Sequence, residues 1–329
     1  MSKAGLGMRA TAAVTVTLGI VLFSGACAKP NYVIADPRDL EPQAWSAARV
    51  TPHVLIVSID GLRPDAIATF PAETLQRLVR EGSYSLAATT IMPSKTLPSH
   101  TSMLTGQPPE RHQVLWNTAM TARADLVELP TVFGLARSQG YRTAAFFSKS
   151  KFQPLQQPGT LDYSQAPGGW FGRWNSARTL ADVEKHLTSA KPNLLFVHFS
   201  DVDRAGHSAG WMSEAYGRAL DRVDTALGRL MTLADTAYGA GNFTLIVTAD
   251  HGGHDEGHGS DDPRDVTIPW IAWGRGVQSG ELKGAPIRTM DTASTALWLL
   301  GVDEPADWMG TPVTRAFAPP PAAPGPGNR

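Results

Sequence analysis

The chain of 329 residues contains one cysteine, Cys27, so no internal disulfide can form and stability must come from a packed core and bound groups. It has little charge of either sign: 29 Lys and Arg against 30 Asp and Glu leave a formal net charge of −1. With its basic residues scattered, there is no electrostatic footprint for a nucleic-acid duplex. No internal repeat is visible, which excludes solenoids and arrays. The uncharged, mostly apolar run over residues 10–23 is too short to span a bilayer comfortably.

That run sits at the N-terminus, behind Lys3 and Arg9, and reads as an export signal. Ser24-Gly-Ala-Cys27 follows it and resembles a bacterial lipobox, although Ser24 stands where a branched residue is usual. Two routes are therefore open: a lipid anchor on Cys27, or cleavage after Ala26 or Ala28. Either predicts an exported periplasmic or cell-surface protein. Loss of Lys3 and Arg9 takes the net charge from −1 to −3. The expected organisation is a signal segment (1–27), a polar lead-in (28–52), a catalytic domain (53–317) and a disordered Pro-rich tail (318–329).

Within the domain, apolar runs at 53–59, 143–147, 193–199, 243–248 and 268–273, with another strand near 86–91, alternate with helical patterns. The clearest helices are a segment begun at Pro64, one opened over 99–104, and those over 215–233 and 291–300. This alternation predicts an α/β fold with a mainly parallel sheet covered on both faces. The stretch 152–175 breaks the rhythm with prolines, glycines, Trp170, Phe171 and Trp174. It reads either as a surface loop packing its own aromatics or as a wall of the substrate site.

Chemistry concentrates where the strands end. Asp250-His251 closes one apolar run, Asp203 and His207 follow another, and Asp60 follows a third. Parallel sheets bind ligands at that edge, and mixed carboxylate and imidazole ligands suit divalent ions. Two ions need about three protein groups each. His258 is the candidate for the missing ligand and His254 its competitor. Thr96, in the turn Pro93-Ser-Lys-Thr96, is the candidate nucleophile, at an expected helix start where anions are favoured. Lys149 and Lys151 are candidate substrate contacts, against the plainer reading of solvated lysines. His198, in a buried-looking strand, reads as a satisfied core or supporting histidine; His100 and His112 carry no assigned role in catalysis.

Taken together, Asp60-Gly-Leu-Arg-Pro-Asp65, Pro93-Ser-Lys-Thr-Leu-Pro-Ser-His100, Leu104-Thr-Gly106, Asp203-Arg-Ala-Gly-His207 and Thr248-Ala-Asp-His-Gly252 resemble the nucleotide pyrophosphatase/phosphodiesterase branch of the alkaline phosphatase superfamily. The likeness runs from about residue 53 to 310. It implies an alkaline-phosphatase-like three-layer sandwich and a two-metal phosphoesterase working through a phosphothreonine. By that resemblance, Asp60, Thr96, Asp250 and His251 hold one ion, and Asp203, His207 and His258 the other. Asn117 steadies a phosphoryl oxygen, and Lys149 and Lys151 match basic pairs that some relatives aim at extra anionic oxygens. Zinc is the expected metal, with manganese and iron compatible. A small phosphorylated substrate is expected, with no protein partner. The alternatives are a phosphomonoesterase or phosphonate hydrolase on the same residues, and, in another class, a non-catalytic metal-stabilised surface binding protein. A sulfatase needs Cys or Ser at the nucleophile, so Thr96 disfavours it.

Overall fold

A computed structural model describes residues 50–119, 127–169, 172–284 and 286–318. Cys27 and the rest of the expected signal segment, most of the expected lead-in (28–49), Trp170, Phe171 and nearly all of the expected tail lie outside these residues. The chain order is β1 (Val54–Ile59), α1 (Pro64–Thr69), α2 (Glu73–Glu81), β2 (Ser83–Thr89), α3 (Thr96–Thr105), α4 (Pro109–His112), α5 (Val132–Ser138), β3 (Thr143–Phe146), β4 (Tyr163–Gln165), α6 (Ser176–Ala190), β5 (Leu194–Phe199), α7 (Asp201–Ala209), α8 (Glu214–Tyr238), β6 (Thr244–Thr248), α9 (Pro263–Val266), β7 (Thr267–Gly274), β8 (Gly280–Glu281) and α10 (Asp291–Leu300).

Eight strands form one sheet in the order β4-β3-β5-β1-β6-β7-β2-β8. Every pairing is parallel except those of β7, which runs against both β6 and β2. β1, β3, β5 and β6 are buried along their whole length, which is why they read as unbroken apolar runs and not as alternation. Helices α3, α5 and α10 pack with one another, while α8 packs with α2, α6 and α7. These two groups are the outer layers of the sandwich.

Two elements depart from expectation. β2 begins at Ser83, earlier than 86–91, and its register shifts between Ser85 and Ala88, leaving Leu86 exposed. That bulge breaks the alternation that would have marked its start. α3 begins at Thr96 rather than 99, because Lys95 is extended and Thr96 is already the first helical residue. The stretch 152–175 is also more structured than a loop: it contains the edge strand β4 and the end of a 3₁₀ turn that buries Phe152, Pro154 and Leu155.

His112 fastens the segment that follows α3. Its Nδ1 accepts from the Val114 N–H (3.0 Å) and its Nε2–H donates to Ser102 Oγ (2.9 Å), so only the neutral ring fits. Burial draws its pKa from 6.5 down to about 4. The unfolded chain therefore binds a proton that the folded one refuses between those values, and stability must fall as pH drops from 6.5 towards 4. Melting curves from pH 7 to 4.5 should show H112Q, although weaker at neutral pH, losing less stability on acidification than the parent. Parallel pH slopes would remove His112 as a source of acid sensitivity.

Candidate active site

The site lies beyond the carboxyl ends of β1, β3, β5 and β6, next to the N-terminus of α3. Backbone bonds fix the strand ends together: Asp60 N–H donates to Phe199 O (2.9 Å) and Asp203 N–H to Asp60 O (3.0 Å). Gly61 lets these turns approach, since it has φ +73° and a Cβ there would sit 3.0 Å from Asp203 Cα. Asp203 and His207 stand four apart on α7 and so share one face.

Three carboxylates, Asp60, Asp203 and Asp250, are all but fully buried here. Each has one oxygen committed to protein donors. Asp60 Oδ2 takes His198 Nε2–H (2.9 Å) and the Lys149 ammonium (2.5 Å). Asp203 Oδ2 takes the same ammonium at 2.6 Å. Asp250 Oδ1 takes the Gly61 and His251 N–H groups at 3.1 and 3.0 Å. The other oxygens, Asp60 Oδ1, Asp203 Oδ1 and Asp250 Oδ2, have no hydrogen-bond partner.

Those three oxygens face imidazoles. His251 Nε2 lies 3.4 Å from Asp60 Oδ1 and 3.3 Å from Asp250 Oδ2. His207 and His258 Nε2 lie 3.3 and 3.6 Å from Asp203 Oδ1. Each ring has its Nδ1 against a backbone carbonyl: Gly252 O for His251, Glu256 O for His207 and Ser94 O for His258. A carbonyl there holds the proton on Nδ1 and leaves Nε2 as a free donor atom, the arrangement of metal-ligating histidines. Asp203, His207 and His258 form one cluster able to hold an ion, and Asp60, Asp203 and His251 another. His254 is not brought in; its Nδ1 donates to Asp265 Oδ1 (2.7 Å) outside the cluster.

The electrostatics show the same need for positive charge. Burial opposes ionisation of Asp60, yet the Lys149 ammonium and His198 outweigh it and hold its carboxyl well below the ordinary range. Burial and the Asp60 charge act against Asp203, and Lys149 and His207 again prevail. For Asp250, burial and the Asp60 charge win, and its carboxyl is pushed well above the carboxylate range. One lysine does not neutralise three buried acids, and orphaned buried carboxylate oxygens are costly. Burial and His258 draw His251 down to about 3, so it stays neutral, the form that ligates metal. Divalent cations fit this donor set.

Thr96 is buried at the first position of α3, its Oγ 3.4 Å from His251 Nε2. Asn117 Oδ1 accepts from the Leu97 N–H (2.9 Å) and from Lys151 Nζ (3.1 Å), which turns its amide N–H₂ away from those donors. Thr96, Asn117, Lys149, Lys151, Asp203, His207 and His258 line one cavity of about 380 Å³. The structure thus brings together the residues singled out from the sequence. Lys149 differs in its partners: its ammonium is spent on Asp60 and Asp203.

Three residues support the site; His198 was read as a core or supporting histidine, whereas Ser94 and Trp211 had no signal in the sequence. His198, fixed by Ser148 Oγ at 2.7 Å, aims Asp60. Ser94 joins two loops: its carbonyl takes His258 Nδ1 (2.8 Å) and its hydroxyl donates to Ser260 O (2.8 Å). Trp211 stands beside both outer histidines, 5.1 Å from the His207 ring and 5.8 Å from that of His258, and donates to Gly61 O (2.9 Å). A Cβ on either Gly206 or Gly253 would collide with its indole. Trp174, one of the aromatics of the 152–175 stretch, packs under Arg178.

Comparison with known proteins bears on this geometry. The profile of the type I phosphodiesterase / nucleotide pyrophosphatase family matches residues 54–263. The chain is similar to the bis(5'-adenosyl)-triphosphatase of Xenopus laevis, at 24% identity over 61% of this chain and 47% of the relative. It is also similar to human ectonucleotide pyrophosphatase/phosphodiesterase family member 1, at 25% identity over 64% of this chain and 24% of that protein. The chain therefore spans about half or less of the length of these curated relatives. Its fold is that of murine ectonucleotide pyrophosphatase/phosphodiesterase 5, solved as an inactive variant with AMP (TM-score 0.69, 16% identity, 81% of this chain and 100% of that one). It is likewise that of an alkaline phosphatase, PafA (TM-score 0.67, 13% identity, 82% and 99%).

Because Gly253 leaves room for Trp211, G253A should displace the indole from His207 and His258. Titrating metal-free protein with Zn²⁺ should then show one tight equivalent kept and a second weakened at least about tenfold. A titration indistinguishable from the parent would show that Trp211 does not place these rings.

Proposed function

Because the chain belongs to the type I phosphodiesterase / nucleotide pyrophosphatase family, we propose that it is a metal-dependent phosphodiesterase or nucleotide pyrophosphatase acting through a phosphothreonine. The observation that carries this reading is the buried Thr96 hydroxyl at the start of α3, within 3.4 Å of His251 Nε2 and at the wall of the shared cavity.

Asp60, Asp250 and His251, with Thr96 beside them, would hold one divalent ion; Asp203, His207 and His258 would hold the second. When bound, the ions, for which zinc suits the mixed Asp and His donors, supply Lewis-acid charge neutralisation and lower the pKa of a nearby oxygen nucleophile.

The chain's own groups do the rest. Thr96 Oγ is held at a fixed place by the first turn of α3, where the helix dipole favours an anionic phosphoryl group. The Oγ–P bond forms as the bond from phosphorus to the leaving oxygen breaks. Asn117, with its Oδ1 occupied, presents its amide hydrogens to a non-bridging oxygen. Burial and Lys149 draw Lys151 down to about 8, so it is largely charged at neutral pH and adds a positive head beside Asn117. Water then cleaves the Oγ–P bond, releasing the phosphoryl product and restoring Thr96. His207 is half exposed while His251 is fully buried, so the outer cluster faces the mouth, where a leaving group departs.

Export to the periplasm or cell surface, with or without lipid on Cys27, belongs to the same proposal. No helix among the described residues is long and apolar enough to cross a membrane. A phosphomonoesterase on the same residues is the second reading, favoured by Lys151 in the cavity lining.

T96A should lower turnover of bis(p-nitrophenyl) phosphate on the order of 10³-fold or more while keeping its bound metal. Full activity would exclude Thr96 as nucleophile. Comparing kcat/KM on that diester and on p-nitrophenyl phosphate separates the two readings, and a metal-loaded parent inactive on both would favour the binding-protein alternative.

A further inference from the structure

Arg173 lines the same cavity as Thr96, Asn117 and Lys151, and nothing so far gives it a task. It is not a freely placed surface arginine. It lies directly opposite Lys149 in an antiparallel bridge, framed by hydrogen bonds from Ser150 N–H to Gly172 O (3.0 Å) and from Trp174 N–H to Ser148 O (2.9 Å). Residues directly opposite in such a pair send their side chains to the same face. Arg173 therefore shares the face from which Lys149 reaches Asp60 and Asp203.

The charges in the cavity are uneven. Lys149 is matched by two carboxylates, and Asp203 is the only acid in the lining among the described residues. Lys151 has a neutral partner, Asn117, and the exposed Arg173 side chain has no hydrogen bond or ion pair among the described residues. Neither Lys151 nor Arg173 thus has an ion pair among the described residues, although both line the cavity of the nucleophile. Asn117 and Lys151, joined at 3.1 Å, serve the transferred group. Arg173 lines the same cavity without a bond to either of them among the described residues, and its planar fork suits the paired oxygens of another phosphate better than an uncharged ester arm. An adjoining cavity of about 360 Å³, sharing Ala119 and Ser150 with the first, is lined by Gln153, Gln156, Ser164 and Gln165 and by no charged side chain among the described residues. The cationic cavity that holds Arg173 therefore adjoins neutral surroundings suited to a polar, uncharged arm.

We propose that Arg173 is a specificity-determining residue that receives a second anionic group next to the transferred phosphoryl, selecting phosphoanhydride-linked substrates over diesters with uncharged arms. This rests on the proposed phosphoesterase activity and names the substrate class of that site.

The test compares the metal-loaded parent, R173A and R173K on bis(p-nitrophenyl) phosphate and on ADP-ribose, whose scissile phosphorus has a phosphate neighbour. The loss of kcat/KM in R173A should be at least about tenfold greater for ADP-ribose, the scale of one charge-assisted hydrogen bond, and should fall mainly on KM. R173K, which keeps the charge without the fork, should lie between. Equal losses on both substrates, or a parent that cleaves only the nitrophenyl diester, would overturn the assignment. Calorimetry of ADP-ribose binding in a T96A background separates this from failure of the phosphoesterase reading. If the parent cleaves neither substrate, weaker binding on adding R173A still supports the anion site, and unchanged binding refutes it.

Discussion

The structure turns on three carboxylates buried side by side at one edge of a parallel sheet. Asp60, Asp203 and Asp250 repel one another in surroundings that water does not screen, and the single ammonium of Lys149 answers only part of that charge. Such a group persists only where the backbone leaves no alternative. Here the strand ends are bonded to one another through main-chain groups, and each carboxylate has one oxygen held by local donors. The free oxygens are therefore aimed by the fold itself, and the imidazoles opposite them are aimed in the same way through their Nδ1 atoms.

The supporting layer is aromatic as well as polar. His198 and His100 pack edge-on to each other at 4.9 Å and over Phe152 at 4.6 and 4.7 Å. This floor excludes water beneath Asp60 and Asp250 while His198 still delivers a hydrogen bond to Asp60. Aromatic pairs of this kind contribute about 0.5–1.5 kcal/mol each beyond their buried area. Orientation is the larger effect, because one rotamer of each ring satisfies both its packing and its polar contacts.

How far the sequence was readable follows from the range of each interaction. Asp60, Asp203, His207, Asp250 and His251 could be picked out because a strand run followed by acid and histidine is a local pattern, and α7 puts Asp203 and His207 on one face. Thr96 was visible within its turn, yet its place as the first residue of α3 depends on Lys95 staying extended, which no local preference announces. The bulge in β2 hid that strand's start for a similar reason. Trp211 and Ser94 gave no signal, because what they do depends on loops meeting from distant parts of the chain. His198 read as a core or supporting histidine, and only its contact with Asp60 decides between the two. Lys149 was a candidate substrate contact or a solvated lysine; in the structure its ammonium is bound by Asp60 and Asp203.

Ser94 has a consequence for how such sites diversify. One residue two positions before Thr96 holds the ring of His258 with its carbonyl and the carbonyl of Ser260 with its hydroxyl. The turn around Thr96 and the loop after His251 are far apart in sequence but form a single mechanical unit. Neither segment can be lengthened, shortened or transplanted into a related scaffold by itself. They must be inherited or exchanged as a matched cassette, whereas the neutral cavity beyond Ser150 can vary without disturbing them.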